Sequence, residues 1–354
     1  MIAAGLLLLS IISVDVLAGK FAHVPIRARH HHHHHGRRHS SPVERDDYAS
    51  NFTSRVFTMQ DFYQGESFLN DFDFFSDSDP TNGLVNYQTR ENAIAKNLAF
   101  VQGNSAVLAV DDFSQVPVGG KRDSVRISSK KTYNGGLFIA DFFTMPHGCS
   151  TWPAYWSVGP NWPSGGEIDV VEGVHQGPTN SMTLHTSAGC SMEPLTAPGV
   201  QEQGKFKSIA RLSNPKCQSG PGDNSGCSFS DPSPASYGHE FNVGVGGVFA
   251  HLWDTSGIRI WRFPRSAIPM DIVDRQPNPG SWGVPTAFFP GGKNCDIQKH
   301  FFEHSLVLDT TLCGDLGNPT YASSGCKGTC AQAVADPENF KFAKWRINYI
   351  AVYQ

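Results

Sequence analysis

Short segments of alternating apolar and polar residues follow one another from Asp47 to Gln354, separated by Gly, Pro, Asn and Asp. The separating residues recur at intervals of about ten residues, a spacing typical of a β-sandwich or a β-barrel. The chain holds 35 Gly and 23 Pro among 354 residues, which disfavours long helices. We therefore predict an all-β fold with one domain over 47–354, because sandwiches often exceed 200 residues as a single unit.

Five internal segments and the C-terminal segment are the clearest strand candidates. In the last of them, apolar residues roughly alternate with small or polar ones up to the terminus, which predicts an inner strand of a sheet. The candidates are 106–110, 124–128, 136–142, 248–253, 257–261 and 345–353.

The first 18 residues have the pattern of an export signal. Leu6 to Leu9 form an apolar centre, and Val16-Leu17-Ala18 fits a small-residue cleavage site before Gly19. This run is too short, and too interrupted by Asp15, to span a membrane. We expect a signal peptide over 1–18 and a secreted, extracellular protein.

Residues 19–46 form a basic, low-complexity stretch that we expect to be disordered. It contains six consecutive histidines, His30 to His35. They could capture a metal ion, but no second group of ligands accompanies them, so a purification tag or a passive tail is the favoured interpretation.

The charge balance argues against nucleic acid and anionic membrane as partners. Residues 1–46 hold six of the 28 basic and three of the 32 acidic residues, so 47–354 carry 22 basic against 29 acidic side chains. A net charge of −7 without a basic stripe does not suit a polyanionic partner. We expect a monomer that needs no cofactor.

Because the chain is expected to be exported, its eight cysteines are expected to form disulfides. An even number in an oxidising compartment predicts up to four disulfides, among 105 possible pairings that the sequence leaves open. The sequon Asn51-Phe52-Thr53 is a glycosylation candidate on a secreted chain.

The segment Gly165 to Gly173 places three acids in an otherwise apolar strand: Glu167, Asp169 and Glu172. Carboxylates are costly to bury without partners, so these face a solvated groove, pair with cations or bind a metal. With a period of two, Glu167 and Asp169 share one face but Glu172 points to the other. One β-bulge near 170–171 would return Glu172 to the shared face.

Three acids on one face suit glycoside hydrolysis by a pair of carboxylates. Retention of anomeric configuration requires the outer two, Glu167 and Glu172, to lie about 5 to 5.5 Å apart. Tryptophans upstream, including Trp156 and Trp162, could stack on sugar rings. A solvated strand with salt-bridged acids is the alternative from this segment alone.

These residues resemble a known family. Glu167 to Glu172, preceded by Trp152-Pro153-Ala154-Tyr155-Trp156 and followed by Thr183-Leu184-His185-Thr186, is similar to the bulged signature of glycoside hydrolase family 16. The similarity to fungal endo-1,3(4)-β-glucanases of that family extends over nearly all of 50–354. It implies a β-jelly-roll of two curved antiparallel sheets with a concave cleft.

The resemblance also implies roles for individual residues. Glu167 matches the nucleophile, Asp169 a helper acid and Glu172 the general acid/base. Residues that the resemblance places at the substrate are Asn86, Arg126, Trp156, Trp162, His185 and Trp282. No metal ligand is implied, and no oxygen-rich loop of recognised spacing supports a structural calcium ion, which stays an open alternative.

We therefore expect a secreted endo-β-glucanase that hydrolyses β-1,3 or mixed β-1,3/1,4-glucan with retention, with the polysaccharide as its partner. A glucan transglycosylase would use the same carboxylates and transfer to a sugar acceptor in place of water. A non-catalytic glucan-binding lectin is the third alternative, but it has no need for both Glu167 and Glu172.

Overall fold

Two eight-stranded antiparallel sheets contain most of the strands in a computed structural model that describes residues 55–192, 201–203 and 206–354. The predicted signal peptide, the histidine-rich tail and the sequon at Asn51 lie outside the described residues. The sheets stack face to face, because one hydrophobic cluster draws residues from both. The all-β prediction is confirmed, and the sandwich is the correct one of the two architectures.

The first sheet, here called the opposite sheet, is ordered β18-β17-β16-β8-β20-β5-β4, and β1 also pairs with β20. The C-terminal strand lies between β8 and β5, which confirms the predicted inner strand. Its strands are β1 (Met59–Tyr63), β4 (Ala99–Gln102), β5 (Ser105–Ala109), β8 (Gly136–Thr144), β16 (Gly247–Asp254), β17 (Gly257–Pro264), β18 (Ala287–Pro290) and β20 (Lys344–Tyr353).

The second sheet, here called the acid-bearing sheet, is ordered β14-β15-β11-β10-β9-β19-β7-β2. Strands β9, β10 and β11 are neighbours in the chain and in the sheet, whereas β19 arrives from far along the sequence to pair with β9. Its strands are β2 (Phe72–Phe74), β7 (Arg126–Ser129), β9 (Thr151–Val158), β10 (Glu167–Glu172), β11 (Ser181–His185), β14 (Arg211–Asn214), β15 (Cys227–Ser230) and β19 (Ser305–Leu312).

Smaller elements lie between the strands of the two sheets. Strand β3 (Val85–Tyr87) runs parallel to β6 (Arg122–Ser124), and β12 (Gln201–Gln203) pairs antiparallel with β13 (Phe206–Ser208). Short helices occupy the connections: α1 (Ser67–Asn70), α2 (Arg90–Ala95), α3 (Gly238–Val243), α4 (Met270–Val273), α5 (Ile297–His300), α6 (Gly314–Thr320), α7 (Cys330–Ala335) and the 3-10 turns Arg265–Ala267, Pro279–Ser281, Tyr321–Ser323 and Pro337–Phe340.

The candidate strand 124–128 is divided in the structure. Ser124 ends β6, whereas Arg126 begins β7 in the acid-bearing sheet. Val125 between them is buried in the main core. The sequence pattern continues across this point because the chain stays extended, but its pairing partners change from β3 to β2 and β19.

The core between the sheets fixes the position of the acid-bearing strands. Tyr155 on β9, Ile168 on β10 and Leu308 on β19 point into it, against Phe142 of the opposite sheet. Trp345 on β20 crosses the core and donates a hydrogen bond from Nε1 to the backbone oxygen of β19 at residue 309, at 2.9 Å. Residues that point away from this core on β10 and β9 therefore form one outer face, which we call the acid face.

All eight cysteines are paired, which confirms the prediction of four disulfides. The longest-range bridge closes 177 residues and the shortest closes 10. The pairs are Cys149–Cys326, Cys190–Cys295, Cys217–Cys227 and Cys313–Cys330. Within the part of the chain that the structure describes, every helix is too short or too polar to cross a lipid bilayer.

Candidate active site

Strand β10 contains one residue more than its neighbour β11 between Asp169 and Glu172. Asp169 pairs with Thr183 and Glu172 pairs with Ser181, so three steps along β10 match two along β11. The pairing of β10 with β9 shifts in the same interval. An extra residue of this kind is a β-bulge. The predicted bulge is therefore confirmed.

The bulge determines which way the side chains of β10 point. Ile168, Val170 and Val171 are all buried in the core between the sheets, two of them consecutive in sequence. Glu167 and Glu172 are only half-buried. Because two consecutive residues point inward at the bulge, the acids before and after it both point outward, onto the acid face.

Four neighbouring strands contribute a row of side chains to the acid face. Glu172 lies opposite Ala154 on β9, Ala154 lies opposite Asp309 on β19, and Asp309 lies opposite Arg126 on β7. Side chains directly opposite on adjacent antiparallel strands share a face. Glu172, Ala154, Asp309 and Arg126 therefore form one row across the acid face.

Glu167 is oriented by a tryptophan of the preceding loop. The Nε1 group of Trp162 donates a hydrogen bond to Oε2 of Glu167. The Trp162 side chain remains 43% exposed, so its ring is open to solvent next to the carboxylate. An exposed indole at this place offers an apolar surface to a sugar ring. The structure thus brings together two of the residues that the sequence predicts for the site.

Asp169 forms a buried chain with His185 and Ser219. The Nε2 atom of His185 lies 3.3 Å from Oδ2 of Asp169, an ion-pair distance without the alignment of a strong hydrogen bond. The Nδ1 atom of the same ring lies 2.8 Å from the Ser219 hydroxyl oxygen. His185 pairs with Glu167 across β10 and β11. Glu167, Asp169 and His185, which the sequence predicts for the site, are therefore neighbours.

The pKa values of Asp169 and His185 are shifted together. Burial and the charge of Glu167 raise the pKa of Asp169 well above its ordinary value, although His185 opposes this. Burial disfavours the charged ring of His185, but the contact with Asp169 and the charges of all three acids raise its pKa to about 9. Both shifts favour proton uptake, so the pair retains a proton at neutral pH.

Glu172 receives a hydrogen bond from Trp152. The Nε1 group of Trp152 on β9 donates to Oε1 of Glu172 at 3.0 Å. Although Glu172 as a whole residue is half-buried, desolvation of its carboxyl group raises its pKa, and the charge of Glu167 adds to this. The charge of His185 and the Trp152 hydrogen bond act in the opposite direction. Glu172 is thus suited to carry a proton at a higher pH than an ordinary glutamic acid.

Arg126 lies between two aromatic rings beside the row of acids. Its guanidinium carbon is 4.7 Å from the ring centre of Phe75 and 5.0 Å from that of Trp156. Next to it, burial raises the pKa of Asp309 to about 7, although the charge of Arg126 lowers it. Arg126 and Trp156 therefore adjoin the acids, and their contact with substrate stays a prediction.

Two residues that lie at the acids are absent from the site that the sequence predicts. They are Trp152, which belongs to the tryptophan-containing motif before the acids, and Asp309 on β19. Asp309 is a lone acid within the apolar strand Ser305–Leu312, which is the kind of signal that identified Glu167. No local pattern indicates that this strand pairs with β9.

The position of Trp282 corrects the sequence prediction. Its ring packs edge-on against Trp261 and Phe263, and its Nε1 group donates to Asp271 at 2.8 Å. This cluster covers the face of the opposite sheet that points away from the core. Trp282 therefore packs two layers away from the acid face, because it follows β17 rather than the acid-bearing strands.

Asn86 lies on β3, where its side-chain nitrogen donates to Asp123 at 2.7 Å. Asp123 also accepts from Lys96 and Gln88, so Asn86 belongs to an exposed polar network. A role of Asn86 at the substrate stays a prediction. The adjacent residue Tyr87 is buried on the other side of the strand.

Three side chains of the site could in principle ligate a cation. Ligand atoms of Glu167, Asp169 and His185 lie within 4.8 Å of one another. A metal-bound imidazole must be unprotonated at the ligating nitrogen. The raised pKa of His185 and its contact with Asp169 therefore suit a proton at this place better than a metal ion.

Comparison with known proteins identifies the family. A model described as the XgeA-like catalytic GH16 domain matches residues 72–353. A probable glycosidase of Schizosaccharomyces pombe is 39% identical over 310 residues, which cover 87% of this chain and 72% of the relative. An endo-1,3(4)-β-glucanase of Arthroderma benhamiae is 39% identical over 313 residues, which cover 85% of this chain and 65% of the relative.

Other relatives are longer still, and the match covers 47% of a probable endo-1,3(4)-β-glucanase of Aspergillus clavatus. Among solved structures, laminarinase 16A of Phanerochaete chrysosporium superposes with a TM-score of 0.78 at 37% identity, covering 85% of this chain and 100% of the other. An elongating GH family 16 β-1,3-glucosyltransferase gives a TM-score of 0.76 at 39% identity, covering 84% and 100%. The family model spans most of the chain, the paired acids lie on one face, and the fold is shared: the chain belongs to glycoside hydrolase family 16.

Proposed function

We propose that this glycoside hydrolase is an endo-β-glucanase that cleaves β-1,3 or mixed β-1,3/1,4-glucan with retention of anomeric configuration. The observation that carries the proposal is the bulge in β10, which directs Glu167 and Glu172 to the same face of the sheet. Retaining glycosidases need two carboxyl groups beside one glycosidic bond. The names of the relatives support β-glucan as the substrate.

The proposed reaction has two displacements. A carboxylate oxygen of Glu167 attacks the anomeric carbon, the glycosidic C–O bond breaks, and Glu172 gives its proton to the leaving oxygen. In the second step Glu172 removes a proton from water, the water oxygen attacks the anomeric carbon, and the bond to Glu167 breaks. The proton returns to Glu172, so the enzyme is restored.

The electrostatics of the site support this assignment of roles. The raised pKa of Glu172 favours the protonated form that the first step needs. The Trp162 hydrogen bond orients Glu167 for attack. Asp169 lies between the two on β10, and its raised pKa favours a protonated carboxyl group, which can donate a hydrogen bond to a neighbouring carboxylate. We assign Asp169 as the helper acid.

The aromatic side chains around the acids suit a saccharide chain. Trp162 is exposed beside Glu167, and Trp156 lies opposite Asp169 on β9. Sugar rings pack their apolar faces on indoles, while their hydroxyl groups hydrogen-bond to charged groups such as Arg126. We propose Arg126, Trp156, Trp162 and His185 as substrate-binding residues.

Release of reducing ends tests the proposal. Wild type and Glu167→Ser are compared on laminarin, lichenan and a β-1,6-glucan. We expect release from laminarin by wild type and a loss of at least about 1,000-fold in the variant, because the nucleophile is removed. Nuclear magnetic resonance of the first product should show the β-anomer. Equal release by the two proteins, or an α-anomer, would contradict the mechanism.

Transglycosylation is the second candidate function, and the similarity to an elongating β-1,3-glucosyltransferase favours it. The glycosyl-enzyme would then be attacked by a sugar hydroxyl in place of water. Incubation with laminari-oligosaccharides and mass spectrometry distinguishes the two: products longer than the substrate indicate transfer, and only shorter products indicate hydrolysis.

We also propose that the protein is exported. The four disulfides support this, because such bridges persist in oxidising compartments. Expression in a fungal host and N-terminal sequencing of protein from the medium test the proposal, and we expect the signal peptide to be absent. Retention of the protein inside the cell would contradict it.

A further inference from the structure

Asn180 is an almost completely buried residue directly before β11 that uses all of its polar groups. Its backbone N–H donates to the Ser236 hydroxyl oxygen at 2.9 Å, and its backbone oxygen accepts from the N–H of Asp231 at 3.0 Å. Its side-chain Oδ1 accepts from the backbone N–H of Glu172 at 2.9 Å. Its Nδ2 donates to the backbone oxygen of Val170 at 2.9 Å.

The last two bonds lie at the bulge. Backbone N–H and C=O groups inside a sheet need partners, and a bulge interrupts the regular ladder that supplies them. The pairing of β10 with β11 shifts between Asp169 and Glu172, where the Asn180 amide bonds to the main chain. A carboxamide offers one acceptor and two donors, which match a peptide group. The Asn180 side chain thus takes the place of the missing ladder partner.

We infer that Asn180 is a positioning residue that holds the bulge and thereby aims the carboxyl group of Glu172. The inference rests on the proposed role of Glu172 as the general acid/base. Asn180 affects the reaction through the position of Glu172 and not through a contact with the substrate. Without its side chain, the Val170 oxygen and the Glu172 N–H would lose their partners in a buried place, and the bulge would relax.

Asn180 is itself firmly anchored. Asp231, which donates its backbone N–H to Asn180, is buried, and its carboxylate accepts from Nε of Arg262 on β17 at 2.7 Å. Ser236 donates its hydroxyl proton to the backbone oxygen of Ser233 at 2.7 Å. The position of the bulge is therefore tied, through one side chain, to the loop that connects β15 to α3.

The two proposed catalytic glutamates depend on Asn180 unequally. Glu167 pairs with His185 in the regular part of the β10–β11 ladder, three residues before Val170. Glu172 is the residue that the Asn180 side chain holds directly. Loss of the side chain should therefore impair proton delivery to the leaving group much more than nucleophilic attack.

Substrates with different leaving groups separate these two steps. Phenyl β-laminaribioside needs protonation of its leaving oxygen, whereas 2,4-dinitrophenyl β-laminaribioside leaves without it. For Asn180→Ala we expect kcat/KM to fall about 10- to 100-fold on the phenyl substrate, because small misplacements of a catalytic group have effects of this size. On the dinitrophenyl substrate we expect less than about a threefold change.

Asn242 on α3 provides a matched control. Its Oδ1 accepts from the backbone N–H of Met145 at 2.9 Å, and its Nδ2 donates to the backbone oxygen of the same residue at 2.9 Å. Asn242→Ala removes the same two kinds of bond without a bond to β10. It should lower the melting temperature as Asn180→Ala does, but leave the ratio of the two kcat/KM values as in wild type.

Equal losses on both substrates would overturn the inference, because they would indicate a general structural effect, and so would unchanged kinetics. If Asn180→Ala does not fold by near-ultraviolet circular dichroism, Asn180→Asp is measured in its place. That variant keeps the acceptor for Glu172 but opposes the Val170 oxygen with a second oxygen, and the same selective loss is expected.

The Glu172→Ala variant separates this inference from the proposed function. If that variant shows no selective loss on the phenyl substrate, the proposed role of Glu172 is wrong. If it shows the selective loss and Asn180→Ala does not, only the positioning role of Asn180 is wrong.

Discussion

Replacement of Trp152 by phenylalanine should shift the alkaline limb of the pH profile to higher pH. The Trp152 indole N–H donates to Oε1 of Glu172 at 3.0 Å, and this bond stabilises the ionised carboxylate. Phenylalanine keeps an aromatic ring at this place but cannot donate. Burial and the charge of Glu167 then act on the pKa of Glu172 with less opposition, so the pKa rises further.

The direction of the activity change follows from the role of Glu172. A general acid must be protonated in the free enzyme, so kcat/KM falls as the pH rises through its pKa. A hydrogen bond to a charged group contributes about 1.5–3 kcal/mol, and one pKa unit corresponds to about 1.4 kcal/mol. Because Trp152 is half-buried and water can partly replace it, we expect the lower end of this range, a shift of about one pH unit.

The assay is kcat/KM for soluble laminarin measured across the pH range in which the protein stays folded. Trp162→Phe is the matched control, because it removes an indole hydrogen bond from Glu167 and leaves the one to Glu172 in place. Its alkaline limb should coincide with that of wild type. An unchanged limb in Trp152→Phe, or a shift to lower pH, would refute the reasoning.

Three further predictions concern charge and stability. In Asp169→Asn, the pKa of His185 should fall from about 9, because its acidic partner is lost, and a nitrogen-15 NMR titration with no change in this pKa would contradict the coupling. Burial and the charge of a neighbouring histidine lower the pKa of His251 to about 3 from 6.5. Its neutral form therefore contributes stability above about pH 6.5, and this stability is progressively lost as the pH falls to about 3. Replacing His251 with phenylalanine should remove about 3 kcal/mol of the difference in unfolding free energy between about pH 7 and pH 4. If urea unfolding of the variant shows the same pH dependence as wild type, this prediction is refuted. Serine replacement of both cysteines in the Cys149–Cys326 bridge should lower the free energy of unfolding by about 5 kcal/mol, and the same change in the Cys217–Cys227 bridge by about 3 kcal/mol. The first bridge closes 177 residues and the second only 10, so loss of the first releases more chain entropy in the unfolded state. A reversed order in thermal unfolding would count against this argument.

Local periodicity was sufficient for the most important feature of the site. Strand side chains alternate strictly, so three acids at 167, 169 and 172 can share a face only if the strand has an extra residue. The structure contains that residue, and two consecutive buried valines, Val170 and Val171, mark it. The all-β class and the inner C-terminal strand followed from the same period of two.

The remaining features of the site depend on pairing between strands that are far apart in the sequence, and local patterns do not predict such pairing. Asp309 reaches the acids because β19 pairs with β9 although about 150 residues separate them in the chain, and no local pattern records that choice. The prediction that Trp282 lies at the substrate is wrong for the same reason, because Trp282 packs on strands of the opposite sheet. The sequence allows 105 disulfide connectivities, and the tertiary structure selects one of them by the positions of the cysteines in the fold.

Sequence by itself determined which residues of β10 are acidic, that one extra residue would bring them to one face, and that the chain forms strands rather than helices, because these properties depend only on neighbours within a few residues. Only the tertiary structure decided what surrounds those acids. Trp152, Asp309 and Asn180 act on Glu172 and its row through contacts between strands and loops, and such contacts depend on the order in which the strands assemble into a sheet.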